Sequence, residues 1–350
     1  MSTVLQELDA EQPEPDGVTF DGQGRELFVV YLVNILLTIV TFGLYRFWGK
    51  TRIRQYVWSH LRYKGDAFEY TGTGLELFLG FVIVFFAVIL PLIGVGIWVQ
   101  LLLQQGDITL VIVIGGLLYL VFFCLFPIAI FRAYRYRLSR TLWRGIRFGL
   151  TGTGRVYAAK FIGYLLLQII TLGLASPYTT VKLYEYLVGN VWMGSGRFSL
   201  DPSWKPLMKP FLMFWGCIVF YFVLFVAAQV AGTTSINFLA YPTMIAIACF
   251  YFYYSAAVYR HVVGNIMFEG VRFSVDLKGR ELFGLFFVNG LLLVFTLGIA
   301  FPWVIVRIMN FMVDKLAVHG EPDFEKISQN TEEMPTYGEG LAEAFDIGSI

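Results

Sequence analysis

Asn34, Thr41, Asn289 and Thr296 are polar residues set inside long apolar stretches, and they recur in one pattern. Each Asn stands seven residues before its Thr, and a middle copy carries Tyr164 and Thr171 at the same separation. Gly43, Gly173 and Gly298 follow two residues after the threonines. Polar groups at membrane depth are costly and tend to face a bundle interior or a cavity. Two roles therefore stand side by side. One is hydrogen bonding between helices; the other is the lining of a substrate path at broken helices. A second recurrent set is cationic. Arg25, Arg155 and Arg280 sit at the entrances of these stretches, and Arg52, Lys182 and Arg307 follow their ends. Such residues anchor a chain at a membrane surface, and they also suit an anionic lipid headgroup or solute.

Nothing resembling an acid, base and nucleophile set accompanies them. His60, His261 and His319 show no metal-ligand spacing and read as interfacial polar residues. Cys124, Cys217 and Cys249 each lie in an apolar run and read as packing residues. The Thr-Gly-Thr-Gly segments at 71–74 and 151–154 lack the Lys and the strand–helix context of a nucleotide site, so they read as turns. The expectation is a protein that is not an enzyme and holds no metal or cofactor.

The elements that position these residues follow from composition. Of 350 residues, 57% are apolar and only 15% charged, against roughly 25% charged in soluble domains. That excludes a water-soluble globule, a disordered chain and a disulfide scaffold. Seven apolar stretches, at about 26–47, 76–103, 108–131, 156–176, 208–231, 237–258 and 282–306, approach the roughly 20 residues that cross a bilayer. The first 20 residues are acidic and apolar-poor, so no signal peptide is expected and insertion falls to the internal spans. The net charge of +1 conceals a segregation. Fourteen of the 25 acids lie outside residues 22–320, whereas 25 of the 26 bases lie within them. Residues 1–17 and 326–350 read as disordered acidic tails. The basic core points to anionic membrane lipid, not to nucleic acid, because its charges sit beside the spans. By the positive-inside rule the basic loops are cytoplasmic, and the loops Gln104–Asp107 and Gly232–Ser235, without Lys or Arg, lie outside.

Repeats complicate that topology. Aromatic anchors at Phe20, Phe68, Phe148, Phe198 and Phe273 precede the apolar stretches, each within a short strand or extended piece ending in a tight turn. They divide a membrane domain, 18–325, into short units near 20–67, 148–197 and 273–324, and two-helix units near 68–147 and 198–272. Stretches such as Ile53–Tyr63 and Tyr259–Phe268 read as interfacial amphipathic helices. A two-helix unit returns the chain to its starting side; a single crossing does not. Segments 26–47, 156–176 and 282–306 are therefore either full crossings with a Gly kink or re-entrant segments broken at Thr-x-Gly.

The most specific parts of the pattern are Val33-Asn34-Ile35-Leu36-Leu37-Thr38-Ile39-Val40-Thr41-Phe42-Gly43-Leu44-Tyr45 with Trp48, and Phe295-Thr296-Leu297-Gly298-Ile299-Ala300-Phe301-Pro302-Trp303. With the basic helix that follows, they resemble the YjgN family of bacterial inner-membrane proteins, a domain of unknown function, over roughly residues 18–325. The middle copy departs at Tyr164 and Tyr178, so a site built on those positions would not be three-fold symmetric. The resemblance implies an inner-membrane location and carries no activity to transfer.

The expected fold is an all-α polytopic membrane protein of about seven hydrophobic helices, with cytoplasmic interfacial helices and short extended turns. The expected function is transport or lipid handling at a site among Asn34, Thr41, Tyr164, Thr171, Asn289 and Thr296. The alternative is a non-catalytic scaffold whose belt, including Arg25, Arg52, Arg155, Lys182, Arg280 and Arg307, binds anionic lipid or partner proteins. Membrane lipids are the expected partners, with a small solute or other membrane proteins beside them.

Overall fold

Short strands frame the helical segments, and that is what organises the chain. The computed structural model describes residues 17–232 and 237–320. The two acidic tails, Gly17 apart, and most of the Gly232–Ser235 loop lie outside the described residues. Ten strands of three to five residues are present: β1 Val18–Phe20, β2 Leu61–Tyr63, β3 Asp66–Tyr70, β4 Thr141–Trp143, β5 Ile146–Leu150, β6 Val191–Met193, β7 Gly196–Leu200, β8 Ile266–Phe268, β9 Val271–Val275 and β10 Leu316–His319. An all-α fold is thus corrected to a mainly helical one with strands. Segments this short cannot display the alternation by which a strand is read from sequence. The five aromatic anchors do fall in strands, one each in β1, β3, β5, β7 and β9. The expected helices Ile53–Tyr63 and Tyr259–Phe268 end early, because Leu61–Tyr63 and Ile266–Phe268 have become strands.

Two-residue turns join β2 to β3, β4 to β5 and β8 to β9. Their residues, Lys64-Gly65, Arg144-Gly145 and Glu269-Gly270, all have positive φ. This is the turn geometry whose twist matches that of paired antiparallel strands.

Between hairpins the chain makes helical excursions that return to their point of departure. Strand β3 leads into α3 (Gly74–Val84), a π-helical turn (Phe85–Ile89), α4 (Leu90–Gln105) and α5 (Ile108–Ser139). The chain then comes back as β4, with Phe68 opposite Trp143. From β7 it passes through α8 (Met208–Ala231) and α9 (Asn237–Val263) and returns as β8, Phe198 opposite Phe268. Strands β5 and β6 bracket α6 (Gly154–Ile170) and α7 (Ser176–Gly189). Strands β9 and β10 bracket α10 (Gly279–Phe295) and α11 (Phe301–Lys315). The amides of Thr71, Thr151 and Asp276 close these bases on the carbonyls of Arg140, Asn190 and Lys315 at 2.8–3.0 Å. Before β2 come α1 (Gly24–Val40) and α2 (Arg46–His60).

Among the described residues four helical segments are long and apolar enough to cross a membrane: Gly74–Gln105, Ile108–Ser139, Lys205–Ala231 and Tyr241–Val263. That replaces the expected seven. The other three stretches are each broken into a helix, a five-residue turn and a second helix. Their arms fold back. Asn34 Nδ2 on α1 donates to the Gly49 carbonyl on α2 at 3.2 Å, and Gln168 Nε2 on α6 donates to Thr179 Oγ1 on α7 at 2.6 Å. Straight crossings would separate those residues by about 16–23 Å at 1.5 Å rise per residue.

The turns reach only partway along the long helices. Phe47, just past the first turn, packs on Phe78 and Phe81 of α3 at 5.6 and 5.2 Å. Leu172, in the second turn, accepts a hydrogen bond from Trp215 Nε1 of α8 at 3.0 Å. Both contacts lie about 15 Å or less along the long helix from its start.

The chain divides into two units. One holds Arg25–Tyr164 and Asn190–Arg197; the other holds the described residues of Met1–Gly24, Leu165–Gly189 and Phe198–Asp323. In the first, Phe47, Tyr70, Leu77 and Tyr136 form a core near the strand end of the helices. In the second, Val181, Leu200, Leu207, Phe211, Tyr254, Val258 and Val262 do so. The far halves of the long helices are apolar and bare, with Ile112 68%, Tyr119 73% and Val230 85% exposed. Contiguous apolar surface of that extent belongs in hydrocarbon.

Candidate functional site

The three threonines of the Thr-x-Gly pattern build the turns. Thr41 Oγ1 donates to the Leu37 carbonyl at 2.7 Å and accepts the Tyr45 amide at 2.9 Å. Thr171 does the same with Leu167 and Ala175, and Thr296 with Leu292 and Ala300. Each hydroxyl thus ties off a carbonyl of the outgoing arm and an amide of the returning one, groups a helix end leaves unsatisfied. The glycines complete the reversal. Gly43, Gly173 and Gly298 have φ of 92°, 87° and 85°, and Phe42, Leu172 and Leu297 before them have φ of 50–51°. The glycine amides bond the carbonyls of Thr38, Gln168 and Leu293 at 2.6–2.8 Å, closing the outgoing helix in the Schellman manner. The residue at each tip is apolar and bare: Phe42 is 98%, Leu172 78% and Leu297 91% exposed.

The asparagines differ from one another. Asn34 is 5% exposed and holds α2 through Gly49. Asn289 is 4% exposed, and neither of its amide atoms has a hydrogen-bond partner. Val304, itself buried, stands where the first hairpin has Gly49. In the middle hairpin Tyr164 replaces the Asn, and Gln168, one turn further on, supplies the bond between the arms. Asn34, Thr41 and Tyr164 belong to one unit, and Thr171, Asn289 and Thr296 to the other. The hydrogen bonds of Asn34 and of the three threonines lie within their own hairpins.

The cations have another setting. Arg25, Arg155 and Arg280 are the second residues of α1, α6 and α10, and all three are exposed. Arg52 and Arg307 are exposed too, Arg52 with its guanidinium 5.6 Å from the Tyr45 ring. Lys182 is half-buried and paired with Glu185 at 2.6 Å, which leaves it less available to a ligand.

Arg280 lines a defined groove of about 440 Å³, with Met213 of α8, Cys249, Phe250 and Tyr253 of α9, and Phe283 of α10. The first residue of α10 makes it possible. A Cβ on Gly279 would lie 2.6 Å from the Tyr253 Cα, so only glycine lets α10 start against α9. The result is an apolar wall with one guanidinium at the helix entrance. An acyl chain suits the wall, and a phosphate suits the arginine. Cys249, expected to be a packing residue, is exposed here; Cys124 and Cys217 are half-buried, and all three are free thiols.

Sequence reasoning missed a set of polar clamps near the bases. Glu76 accepts two bonds from Arg140, at 2.7 and 3.1 Å, and one from the Tyr136 hydroxyl at 2.6 Å. Arg54, fully buried, donates to the Tyr70 hydroxyl at 3.0 Å. Glu26 accepts from Tyr56 at 3.0 Å, with His60 3.9 Å away. The available signal was Gly-x-Glu at 24–26, 74–76 and 279–281, an acid in the first turn of a helix. The histidines work locally: His60 contacts the Tyr56 carbonyl, His261 that of Ser203 and His319 the Ser274 hydroxyl. Among the described residues no cluster of His, Cys, Asp and Glu could hold a metal ion.

Long bare apolar helices rooted on strands define an integral membrane protein. A family model described as a bacterial protein of unknown function (DUF898) matches residues 15–344, and the chain belongs to that family. It is 24% identical to the inner membrane protein YjgN of Salmonella typhimurium (strain LT2) over 387 aligned residues, 91% of each chain. Shorter segments match inner membrane protein YjgN of Escherichia coli O157:H7, at 32% identity over 29% of this chain and 27% of that one. The K12 protein matches at 31% over 27% and 25%. No solved structure matches the chain.

Proposed function

We propose that this protein is a multi-pass inner-membrane protein that handles anionic phospholipid without catalysing a reaction. The observation that carries the reading is the Arg280 groove, apolar along its length and cationic at its mouth. Lipid handling is preferred to solute transport because the threonines of the transport hypothesis are already engaged in their own turns. Supporting evidence comes from Arg25 and Arg155, which are exposed at the same kind of helix entrance.

The accompanying topology has four crossings and three re-entrant hairpins, all rooted on one side. Paired strands at the base of an excursion require that it leave and return together, which two long helices or one folded-back hairpin satisfy. The arginines that follow α5 favour the cytoplasm for that side, and Gln104–Asp107, without Lys or Arg, favours the other. The three copies of the hairpin also support an origin by internal repetition.

Native mass spectrometry of the full chain from vesicles of mixed phosphatidylglycerol and phosphatidylethanolamine tests the reading. Wild type should retain phosphatidylglycerol above its bulk share, and Arg280→Ala should lose that enrichment while remaining folded. No enrichment in wild type, or equal enrichment in the variant, would overturn it.

A further inference from the structure

The opposite face of α9 borders a second cavity, of about 490 Å³, that no charged side chain lines. Thr180 and Tyr184 come from α7; Tyr251, Tyr254 and Tyr259 from α9; and Phe286 from α10. On a helix of 3.6 residues per turn, these α9 positions project roughly half a turn away from Cys249, Phe250 and Tyr253 of the first groove. The two cavities are thus separate sites that share α9 and α10. Both adjoin the first turns of α10, through Arg280 and Phe283 in one and Leu282 and Phe286 in the other.

Their chemistry differs. The second cavity offers no guanidinium or ammonium to a phosphate and no carboxylate to a metal. Its polar groups are hydroxyls, on tyrosines, Thr180 and Ser255, set among aromatic rings. Ring faces carry the negative part of the aromatic quadrupole, and hydroxyl oxygens accept hydrogen bonds. Such a lining attracts a cation that donates protons, as aromatic cages do for ammonium groups. Tyr254 is 8% exposed and forms the floor, whereas Tyr251 and Tyr259, at 50% and 45%, stand at an open rim. A headgroup can enter by that rim while its chains stay in the surrounding bilayer.

We infer that this tyrosine-lined cavity binds the ammonium headgroup of a phospholipid with a primary amine, beside the anionic lipid held at Arg280. The inference rests on the lipid-handling reading above and extends it to two headgroup classes in one unit.

Vesicles of equal phosphatidylethanolamine, phosphatidylcholine and phosphatidylglycerol, with the full chain and native mass spectrometry, provide the test. Wild type should enrich phosphatidylethanolamine about two- to five-fold over its bulk share, the range expected of exposed cation–π contacts. Tyr259→Leu should return it to the bulk share, and Tyr259→Phe, which keeps the ring, should retain most of it. Should Tyr259→Leu fail to fold, Tyr251→Leu at the same rim serves instead. Arg280→Ala should lower phosphatidylglycerol only. No preference among headgroups in wild type, or a preference that ignores the tyrosines, would overturn the inference. Loss of phosphatidylethanolamine with Arg280→Ala but not with the tyrosine variants would reduce the two sites to one and overturn it as well. Phosphatidylglycerol bound through Arg280 without any phosphatidylethanolamine enrichment would leave the first reading standing and this one rejected. Phosphatidylethanolamine bound through Tyr259 without an Arg280 effect would do the reverse.

Discussion

Glu281 Oε2 lies 3.0 Å from Lys315 Nζ, joining the first turn of α10 to the last turn of α11. The pair spans a whole hairpin, so it exists only because the chain reverses at Thr296–Ala300. The first hairpin has Glu26 and His60 at the corresponding positions, and the middle one has Val156 and Asn190, where both charges are gone together. Loss of both partners is what a paired role predicts, since either alone would stand unopposed.

This clamp should resist acid. The hydrogen bond from Lys315, and then that from the Lys278 amide, hold the Glu281 carboxyl below the usual carboxylate range. A depressed folded value means that the contribution is present above the unfolded value and fades only as pH falls through the folded one. Carboxyl titration by NMR should therefore place Glu281 below ordinary glutamates, and Lys315→Ala should move it back up. Reciprocal Glu281→Lys with Lys315→Glu should recover Tm lost by either change alone.

The turn glycines should be intolerant of a side chain. An L-residue at φ near 90° is strained, and left-handed backbone costs about 1–2 kcal/mol. Gly43→Ala, Gly173→Ala and Gly298→Ala should each lower stability by about that amount in urea or thermal unfolding. The positive φ sets the cost at all three, since a Cβ would find open space at Gly43 and Gly298 and only an ordinary contact with Trp215 at Gly173.

The two buried asparagines should respond in opposite ways. Asn34→Leu removes a bond to Gly49 and should cost about 0.6–1.7 kcal/mol, the span measured for hydrogen bonds inside membranes. Asn289→Leu removes an amide with no partner and should be neutral or stabilising, since an unsatisfied buried polar group carries a penalty of about 1–3 kcal/mol. Equal losses in a paired unfolding series would show that Asn289 has a role outside its hairpin.

Accessibility should divide the loops in one way only. Single cysteines in a background without Cys124, Cys217 and Cys249 should react with an external impermeant maleimide at Gln105. They should not react at Arg197 or Arg272 until the membrane is opened. External labelling at Arg197 would convert the middle hairpin into a crossing.

Part of this site was readable before any fold. Thr41, Thr171 and Thr296 with their glycines marked the breaks in the right residues, and the aromatic anchors marked five strands. The threonine hydroxyls, however, looked available for a ligand, because their partners at i−4 and i+4 are backbone groups that residue identity does not display. Arg280 was one of several similar arginines until Gly279 set α10 against Tyr253. The clamp at Glu76 joins residues 60 and 64 positions apart, Tyr136 and Arg140, and no local spacing points to them.

Composition and charge order by themselves determined a membrane protein with cations at the helix entrances and polar breaks in three apolar stretches. They determine this because burial of apolar groups and the cost of charge in hydrocarbon depend on residue type and position in the chain. Only the tertiary structure decided that those three stretches fold back, that strands frame the excursions, and that Arg280 borders a groove. Hydropathy counts what a segment contains. Whether two left-handed residues reverse it, and which distant side chain it then meets, depends on contacts that exist only once the arms have packed.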